Sequence, residues 1–207
     1  MEDENQLLEN LVDDGFCETG ICAMSLLLTR LELINIELQM KLNRRVIQMK
    51  TGRMKSYEST RKKMLTKGLA PDFFVAKREL NDLVGVRAVC AYIDDIYRVK
   101  EMIARQSDIR ILKEKDYIKK PKQSGYRSLH MILELPVEFD EKVHWIKIEL
   151  QLRTAAMDYW ANLDHQLRYK KRESEVAEID DELQRCAGEI EQLDRRMLAI
   201  REKIEQI

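Results

Sequence analysis

The chain has 207 residues, of which 44% are hydrophobic and 35% charged, with a formal net charge of −1. This composition supports one domain with a real core and long exposed helices, and its near-neutral charge gives no overall field toward nucleic acid or a membrane. The longest apolar run, 21–28, is much shorter than the about 20 residues that span a bilayer. The acidic start is unlike a signal peptide and the four cysteines are scattered, so we expect a cytoplasmic protein.

The first half of the chain is predicted to be mainly helical. The acidic residues 1–25 are interpreted as an N-terminal extension, and apolar residues recur at helical spacing from 26 to about 42. The dipeptide Thr51-Gly52 interrupts this pattern. A basic helix is then predicted at 56–67, followed by a short helix or turn at 73–80.

The second half is predicted to alternate between strands and helices. The apolar run 83–93 is typical of a buried strand, and Asp94 or Asp95 is expected to cap a helix that ends near 106. Next come a strand at 109–118, a polar loop at 119–125, strands at 126–135 and 143–153 joined across 136–142, and a helix that Thr154 caps and that runs to about 170.

The tail, residues 173–207, carries the most regular pattern in the chain. Apolar residues alternate there in steps of three and four, as Val176, Ile179, Leu183, Cys186, Ile190, Leu193, Met197, Ile200, Ile204 and Ile207. Such a heptad seam predicts a long helix that joins copies of the chain, while packing along its own domain is the alternative. Residues 26–172 would then form the central domain.

Charge is unevenly distributed along the chain. Residues 41–78 contain twelve Lys/Arg against two acidic residues, and residues 110–127 contain seven against two. Both segments suit a polyanionic ligand, although a solvated helix face would also explain the first.

Two strands each combine an apolar face with a polar face. Ile148, Leu150 and Leu152 alternate with Glu149 and Gln151, so the polar residues share one side. In the preceding strand, Tyr126, Ser128 and His130 share one side, and Leu129, Met131 and Leu133 share the other. The two polar faces can build a site on one surface of a sheet.

Two carboxylates are candidates for holding a metal ion. Asp82 precedes the apolar strand, where a plain turn residue is the alternative, and Glu149 lies on a second strand. Mg²⁺ prefers one or two carboxylates together with phosphate oxygens. The basic segments would bind the phosphates, and Tyr126, Arg53 and Arg87 offer flat surfaces for bases. The set favours phosphoryl or nucleotidyl transfer.

Other chemistries lack their motifs. The sequence contains no P-loop, no GxGxxG and no obvious Ser–His or Cys–His arrangement. It has no His-Asp dipeptide of the metal-dependent phosphohydrolase kind, and three histidines do not support a multi-histidine metal site. We therefore do not expect hydrolysis by a domain of that phosphohydrolase kind.

Four motifs occur in order along the chain. They are Thr51-Gly-Arg-Met-Lys55, Asp82-Leu-Val-Gly-Val-Arg87, Lys122-Gln-Ser-Gly-Tyr-Arg-Ser-Leu-His130 and Ile148-Glu-Leu-Gln-Leu-Arg-Thr154. Together they resemble the synthetase domain of the RelA/SpoT family, in particular the small alarmone synthetases of the RelQ type. The resemblance covers roughly residues 44–172. It implies an α+β fold with a mixed, nucleotidyltransferase-like sheet, flanking helices and a long C-terminal helix.

The resemblance also implies an activity. A GTP pyrophosphokinase moves the β,γ-pyrophosphate of ATP to the 3′-hydroxyl of GTP or GDP and releases AMP, with Mg²⁺. The metal-linked catalytic residues would be Asp82 and Glu149. The ATP-binding residues would be Arg53, Lys55, Ser59, Lys63 and Arg87. The residues around GTP or GDP would be Lys122, Tyr126, His130 and Gln151. The family also makes a homotetramer the expected assembly.

The sequence departs from this family at two places. Asp158 stands where related enzymes often have Asn; a carboxylate still accepts from guanine N–H groups, so we expect acceptor binding without a defined GTP or GDP preference. Gln48-Met-Lys50 replaces a segment that tends to carry an aromatic near a regulatory pocket, which weakens the expectation of activation by product. A toxic synthetase acting on adenosine nucleotides or tRNA, and a non-catalytic nucleotide- or RNA-binding regulator, stay open as alternatives.

Overall fold

The computed structural model describes residues 15–169 and 176–206. The helices are α1 (Phe16–Leu42), α2 (Tyr57–Thr66), α3 (Phe73–Glu79), α4 (Ile93–Ala104), α5 (Ala155–Tyr169) and α6 (Val176–Ile204). The strands are β1 (Ile47–Met54), β2 (Val84–Cys90), β3 (Arg110–Asp116), β4 (Leu129–Phe139) and β5 (Lys142–Thr154). No helix in the described part of the chain is both long and apolar enough to cross a bilayer.

The five strands form one sheet in the order β1-β2-β5-β4-β3. β2 and β5 are parallel, and the other neighbouring pairs are antiparallel. The predicted α+β class with a mixed sheet, flanking helices and a C-terminal helix is therefore confirmed.

One face of the sheet forms the core. Leu150 and Leu152 of β5 are fully buried, as are Met131 and Leu133 of β4. α1 packs against β1, β2, β4 and β5, and α4 packs against β2, β5 and α1. These two helices cover the apolar face, so the polar residues between the buried ones face the other side.

Strand boundaries differ from the prediction at three places. β4 begins at Leu129, so Tyr126 and Ser128, which the sequence predicted on this strand, precede it. The sequence predicted a break at Thr51-Gly52, but β1 runs through it because the dipeptide pairs with Arg87 and Val86 of β2. The predicted connection 136–142 is instead mostly strand, and only Asp140 and Glu141, both with positive φ, form the turn. A two-residue turn of this kind matches the twist of the flanking strands.

Helix starts differ as well. α1 begins at Phe16, and Phe16 and Ala23 are buried in the core, so the proposed boundary between residues 25 and 26 lies inside a helix. Of the extension, residues 1–14 lie outside the described part. Neither Asp94 nor Asp95 caps α4, because both lie within its first turn; Asp95 is buried and binds Arg44. Thr154 does cap α5, where its hydroxyl accepts from the Met157 amide at 3.1 Å.

The predicted seam on α6 divides into two parts. Leu183 is buried, together with Ala187, against Trp160 of α5. Further along, Leu193, Met197, Ile200 and Ile204 are 45–65% exposed. The first part therefore packs within the chain. Val176 and Ile207 are outside the described side chains.

Candidate active site

The pairing of the strands aligns the residues on the polar face of the sheet in two adjacent rows, and each row crosses all five strands. One row contains Arg53, Gly85, Glu149, Ile132 and Lys113, and the next contains Thr51, Arg87, Gln151, His130 and Lys115. Because alternate residues of a strand face the same side, both rows point to the same surface. Five strands thus contribute residues to one site.

Three adjoining cavities lie along this surface. The lysine cavity, about 320 Å³, is lined by Asp82, Glu149 and several lysines. The arginine cleft, about 60 Å³, lies between Arg53 and Arg87 and shares both acids with the lysine cavity. The tyrosine cavity, about 810 Å³, contains Tyr126 and shares both arginines with the cleft.

Most of the predicted site residues meet here. The residues that line at least one cavity are Arg53, Lys63, Asp82, Arg87, Lys122, Tyr126, His130, Glu149 and Gln151. Lys55, although it lines none of these three cavities, binds Asp82 directly. Ser59 lies in the first turn of α2, where its hydroxyl accepts a hydrogen bond from that of Ser56. Asp158 is buried and accepts a hydrogen bond from Arg87.

Asp82 is held between two lysines. Its Oδ2 lies 2.7 Å from Lys63 Nζ and 3.1 Å from Lys55 Nζ. Lys55 stays beside it because its amide donates to the Leu83 carbonyl, which extends the pairing of β1 with β2. Burial raises the pKa of Asp82, but the lysines outweigh this effect and the net shift is downward. The carboxylate is therefore charged at neutral pH.

Glu149 is joined to a histidine and an amide. Its Oε1 lies 3.1 Å from His130 Nδ1, and its Oε2 accepts from the Gln151 amide at 2.8 Å. Burial and the charge of Asp82 raise the pKa of Glu149. His130 and Gln151 lower this pKa by more, so the net shift is downward. A carboxylate with a lowered pKa is a weak base, which favours binding and orientation over outright proton removal.

Two hydrogen-bond partners hold the hydroxyl of Tyr126. Its oxygen lies 2.7 Å from His130 Nε2 and accepts from Arg153 Nη2 at 2.6 Å. Lys122 Nζ lies 4.7 Å from the centre of the Tyr126 ring. The ring thus has a set position beside the tyrosine cavity, as a stacking surface for a base requires.

The buried ion pair between Asp158 and Arg153 contacts both Arg87 and Tyr126. Asp158 Oδ1 accepts from Arg153 Nη1 at 2.8 Å and from Arg87 Nη1 at 3.0 Å. Arg153 also donates to the Gln151 amide oxygen at 2.9 Å. A continuous hydrogen-bonded chain therefore runs from Glu149 through Tyr126 to Arg87. The prediction that Asp158 accepts directly from guanine stays a prediction, and its observed partners favour a positioning role.

Several contributors escaped the sequence analysis. β3 places Lys113, Lys115 and the nearby Tyr117 in the lysine cavity, together with Lys67 after α2. The alternation of Lys113 and Lys115 could have identified the pair, since both would face one side of the predicted strand. The same alternation puts Arg153 on the polar side of β5, but its burial was not foreseen. Five lysines and three carboxylates line the lysine cavity, and the excess of positive charge suits an anionic ligand.

Fold and site together define a class of protein, a mixed-sheet enzyme that binds polyphosphate-bearing ligands in adjoining cavities. Residues 52–174 match a family described as a region found in RelA / SpoT proteins. The chain is 38% identical over 183 residues to the GTP pyrophosphokinase YwaC of Bacillus subtilis, an alignment that covers 88% of this chain and 87% of YwaC. The chain belongs to the RelA/SpoT family.

Solved structures place it among the small synthetases of that family. Small alarmone synthetase 2 of Bacillus subtilis superimposes with a TM-score of 0.80 at 37% identity, covering 89% of this chain and 96% of that one. Small alarmone synthetase 1 of the same organism, solved bound to its product pppGpp, gives a TM-score of 0.84 at 29% identity, covering 94% and 98%. The resemblance inferred from the four motifs is confirmed.

Proposed function

We propose that this protein is a GTP pyrophosphokinase that makes (p)ppGpp as part of the stringent response. The acceptor 3′-oxygen attacks the β-phosphorus of ATP, the O3′–Pβ bond forms, and the bond from Pβ to the α,β-bridging oxygen breaks, so that AMP leaves. The observation that carries this proposal is the placing of Asp82 and Glu149 where the lysine cavity and the arginine cleft meet. Catalysis of this kind depends on positioning and charge neutralisation.

ATP is assigned to the arginine cleft and the adjoining lysines. Arg53 and Arg87 both line the cleft, and their guanidinium planes suit stacking on adenine. Lys55 and Lys63 lie beside Asp82 and would bind the phosphates. Ser59, in the first turn of α2, is the outermost member of the predicted ATP set, and its role rests on the family resemblance.

GTP or GDP is assigned to the tyrosine cavity. Tyr126 would stack on guanine, and Lys122, His130 and Gln151 line the same cavity. Asp158 remains a proposed contributor, acting through Arg87 and Arg153 or by contact with the base. The reacting 3′-hydroxyl would then lie near Glu149, which is hydrogen-bonded to His130.

The site fits a magnesium ion completed by substrate oxygens. Within residues 15–169 and 176–206, no three acidic, His or Cys residues are grouped as a ready-made cation site. Asp82 Oδ1 is buried and has no hydrogen-bond partner among these residues, so it is available to a cation. Asp82 and Glu149 would hold Mg²⁺ together with phosphate oxygens. When bound, the ion would neutralise charge on the phosphates.

Assembly and location complete the proposal. The exposed apolar residues at the end of α6 support a homo-oligomer, with a tetramer expected from the family, because a monomer rarely exposes such a row. The function needs no membrane, and the cytoplasm, where ATP and GTP are available, is the proposed location. RNA is not required as a partner.

Label transfer tests the function. The purified chain is incubated with Mg²⁺, γ-labelled ATP and, in separate reactions, GTP, GDP, ATP or tRNA. We expect label in guanosine penta- or tetraphosphate. Label only in adenosine products or tRNA would establish a different acceptor, and nucleotide binding without transfer would leave a non-catalytic regulator. Both results contradict the proposal.

A further inference from the structure

The C-terminal helix α6 packs against the loop that carries Tyr126. This acceptor loop, residues 119–127, lies between β3 and β4, and the described side chains of α6, from Ile179 onward, line none of the three cavities. Instead, Tyr126 packs against a small cluster separate from the main core, in which Trp160 of α5 is buried with Leu183 and Ala187 of α6. α6 thus reaches the site through the loop and through α5.

The loop backbone comes close to α6 at Gly125. Its φ is +87°, and an added Cβ would lie 2.5 Å from the Ala187 Cβ and 3.5 Å from the Gln184 Cα. Only glycine adopts this backbone without strain, and only glycine leaves room for the helix. The loop backbone therefore lies close against α6, one residue before Tyr126.

An ion pair fixes the loop on the other side of Tyr126. Arg127 Nη2 donates to Glu191 of α6, and Arg127 Nη1 donates to the Ile118 carbonyl at 3.0 Å. Arg127 is 15% exposed and Glu191 25%, so the pair is partly shielded from water. One side chain joins both ends of the acceptor loop to the helix.

The tryptophan completes the attachment. Trp160 Nε1 donates to the Leu183 carbonyl of α6 at 2.9 Å, and the Tyr126 and Trp160 rings are 6.5 Å apart. Arg53 has no such direct attachment, because among the element contacts described α6 packs against α5 and α4 but not against β1 or α2. A displacement of α6 would thus act on Tyr126 more directly than on Arg53.

We propose that α6 sets the position of the acceptor loop, and that Glu191 is a positioning residue for the acceptor nucleotide. The inference rests on the proposed function, since it concerns the guanine site of that reaction. It gives the C-terminal helix a role inside one subunit, distinct from joining subunits, and predicts a selective effect on the acceptor.

Glu191→Gln tests this role. It removes the charge that holds Arg127 while keeping the shape of the side chain. Loss of one partly buried ion pair is expected to raise KM for GTP or GDP about fivefold, with KM for ATP and kcat unchanged. Glu182→Gln is the matched control, since Glu182 is an exposed glutamate of α6 that pairs with Arg185; its kinetics should equal those of the wild type.

A charge exchange separates positioning from folding. Arg127→Glu alone should raise the acceptor KM, and the double variant Arg127→Glu/Glu191→Arg should restore part of it. Melting temperature and oligomeric state are measured for every variant. A wild type without pyrophosphate transfer would refute the proposed function. An active wild type with an unchanged acceptor KM in Glu191→Gln, or with KM for both nucleotides and kcat altered together, would refute the positioning role alone.

Discussion

Asp158→Asn removes a negative charge from the point where two arginines meet. In the wild type, Oδ1 accepts from Arg153 and Arg87, and Oδ2 accepts from the Asn162 amide at 3.2 Å. The side chains of Asp158 and Arg153 are only 8% and 6% exposed. The substitution therefore leaves a buried guanidinium group without its carboxylate.

The expected loss of stability follows from that burial. Removing one partner of a buried ion pair costs about 3–5 kcal/mol. Arg153 keeps neutral acceptors on Gln151 and Tyr126, so we expect the lower end, about 3 kcal/mol. For a chain of this size each kcal/mol lowers the melting temperature by about 2–4 °C, which gives a decrease of about 6–12 °C. Arg87 also loses its anchor, so KM for ATP should rise.

Differential scanning calorimetry at equal protein concentration measures the first effect, and initial-rate kinetics measures the second. Glu189→Gln, which neutralises an exposed glutamate of α6, is the control and should melt like the wild type. A melting temperature for Asp158→Asn within about 2 °C of the wild type would refute the reasoning. A higher KM for GTP alone, without loss of stability, would instead support direct contact between Asp158 and guanine.

Three further predictions concern the site and its loop. Glu149→Gln should lower kcat at least about 100-fold while keeping the fold, since Glu149 lies on the cavity face; near-wild-type rates would show that its assignment is wrong. Gly125→Ala should cost about 1–3 kcal/mol in urea unfolding, because φ is +87° and Ala187 occupies the space; equal stability would contradict the packing of α6. The lowered pKa values of Asp82 and Glu149 contribute stability above the ordinary values of 3.8 and 4.5. That stability is lost as the pH falls through the lowered pKa values of the folded state. The free energy of unfolding, measured with urea between pH 3 and 7, should therefore change less with pH in Asp82→Asn than in the wild type.

The strands that carry the site were predictable because their period is two. The alternation of Glu149 and Gln151 with Leu150 and Leu152 predicted a polar face, and the register places that face on the cavities. β1 was not predictable in the same way. It is an edge strand with most residues exposed, so no buried alternation marks it, and Thr51-Gly52 suggests a break.

The network behind the site depends on partners that are distant in sequence. The alternation of β5 places Arg153 on the polar face. Its burial follows from its contact with Asp158 on α5, and no local sequence pattern shows that contact. The heptad seam of α6 was recognised, but a seam has the same spacing whether it faces its own chain or another. Only the contacts of Leu183 and Ala187 with Trp160 show that its first part packs internally.

The stoichiometry of the reaction tests the central claim most directly. Wild-type protein and Glu149→Gln are incubated with ATP, GTP and Mg²⁺, and the nucleotides are separated and quantified by anion-exchange chromatography over time. The wild type is expected to release one AMP for each guanosine pentaphosphate formed, and Glu149→Gln almost none of either. Formation of ADP without AMP, or equal rates for the two proteins, would contradict pyrophosphate transfer at this site.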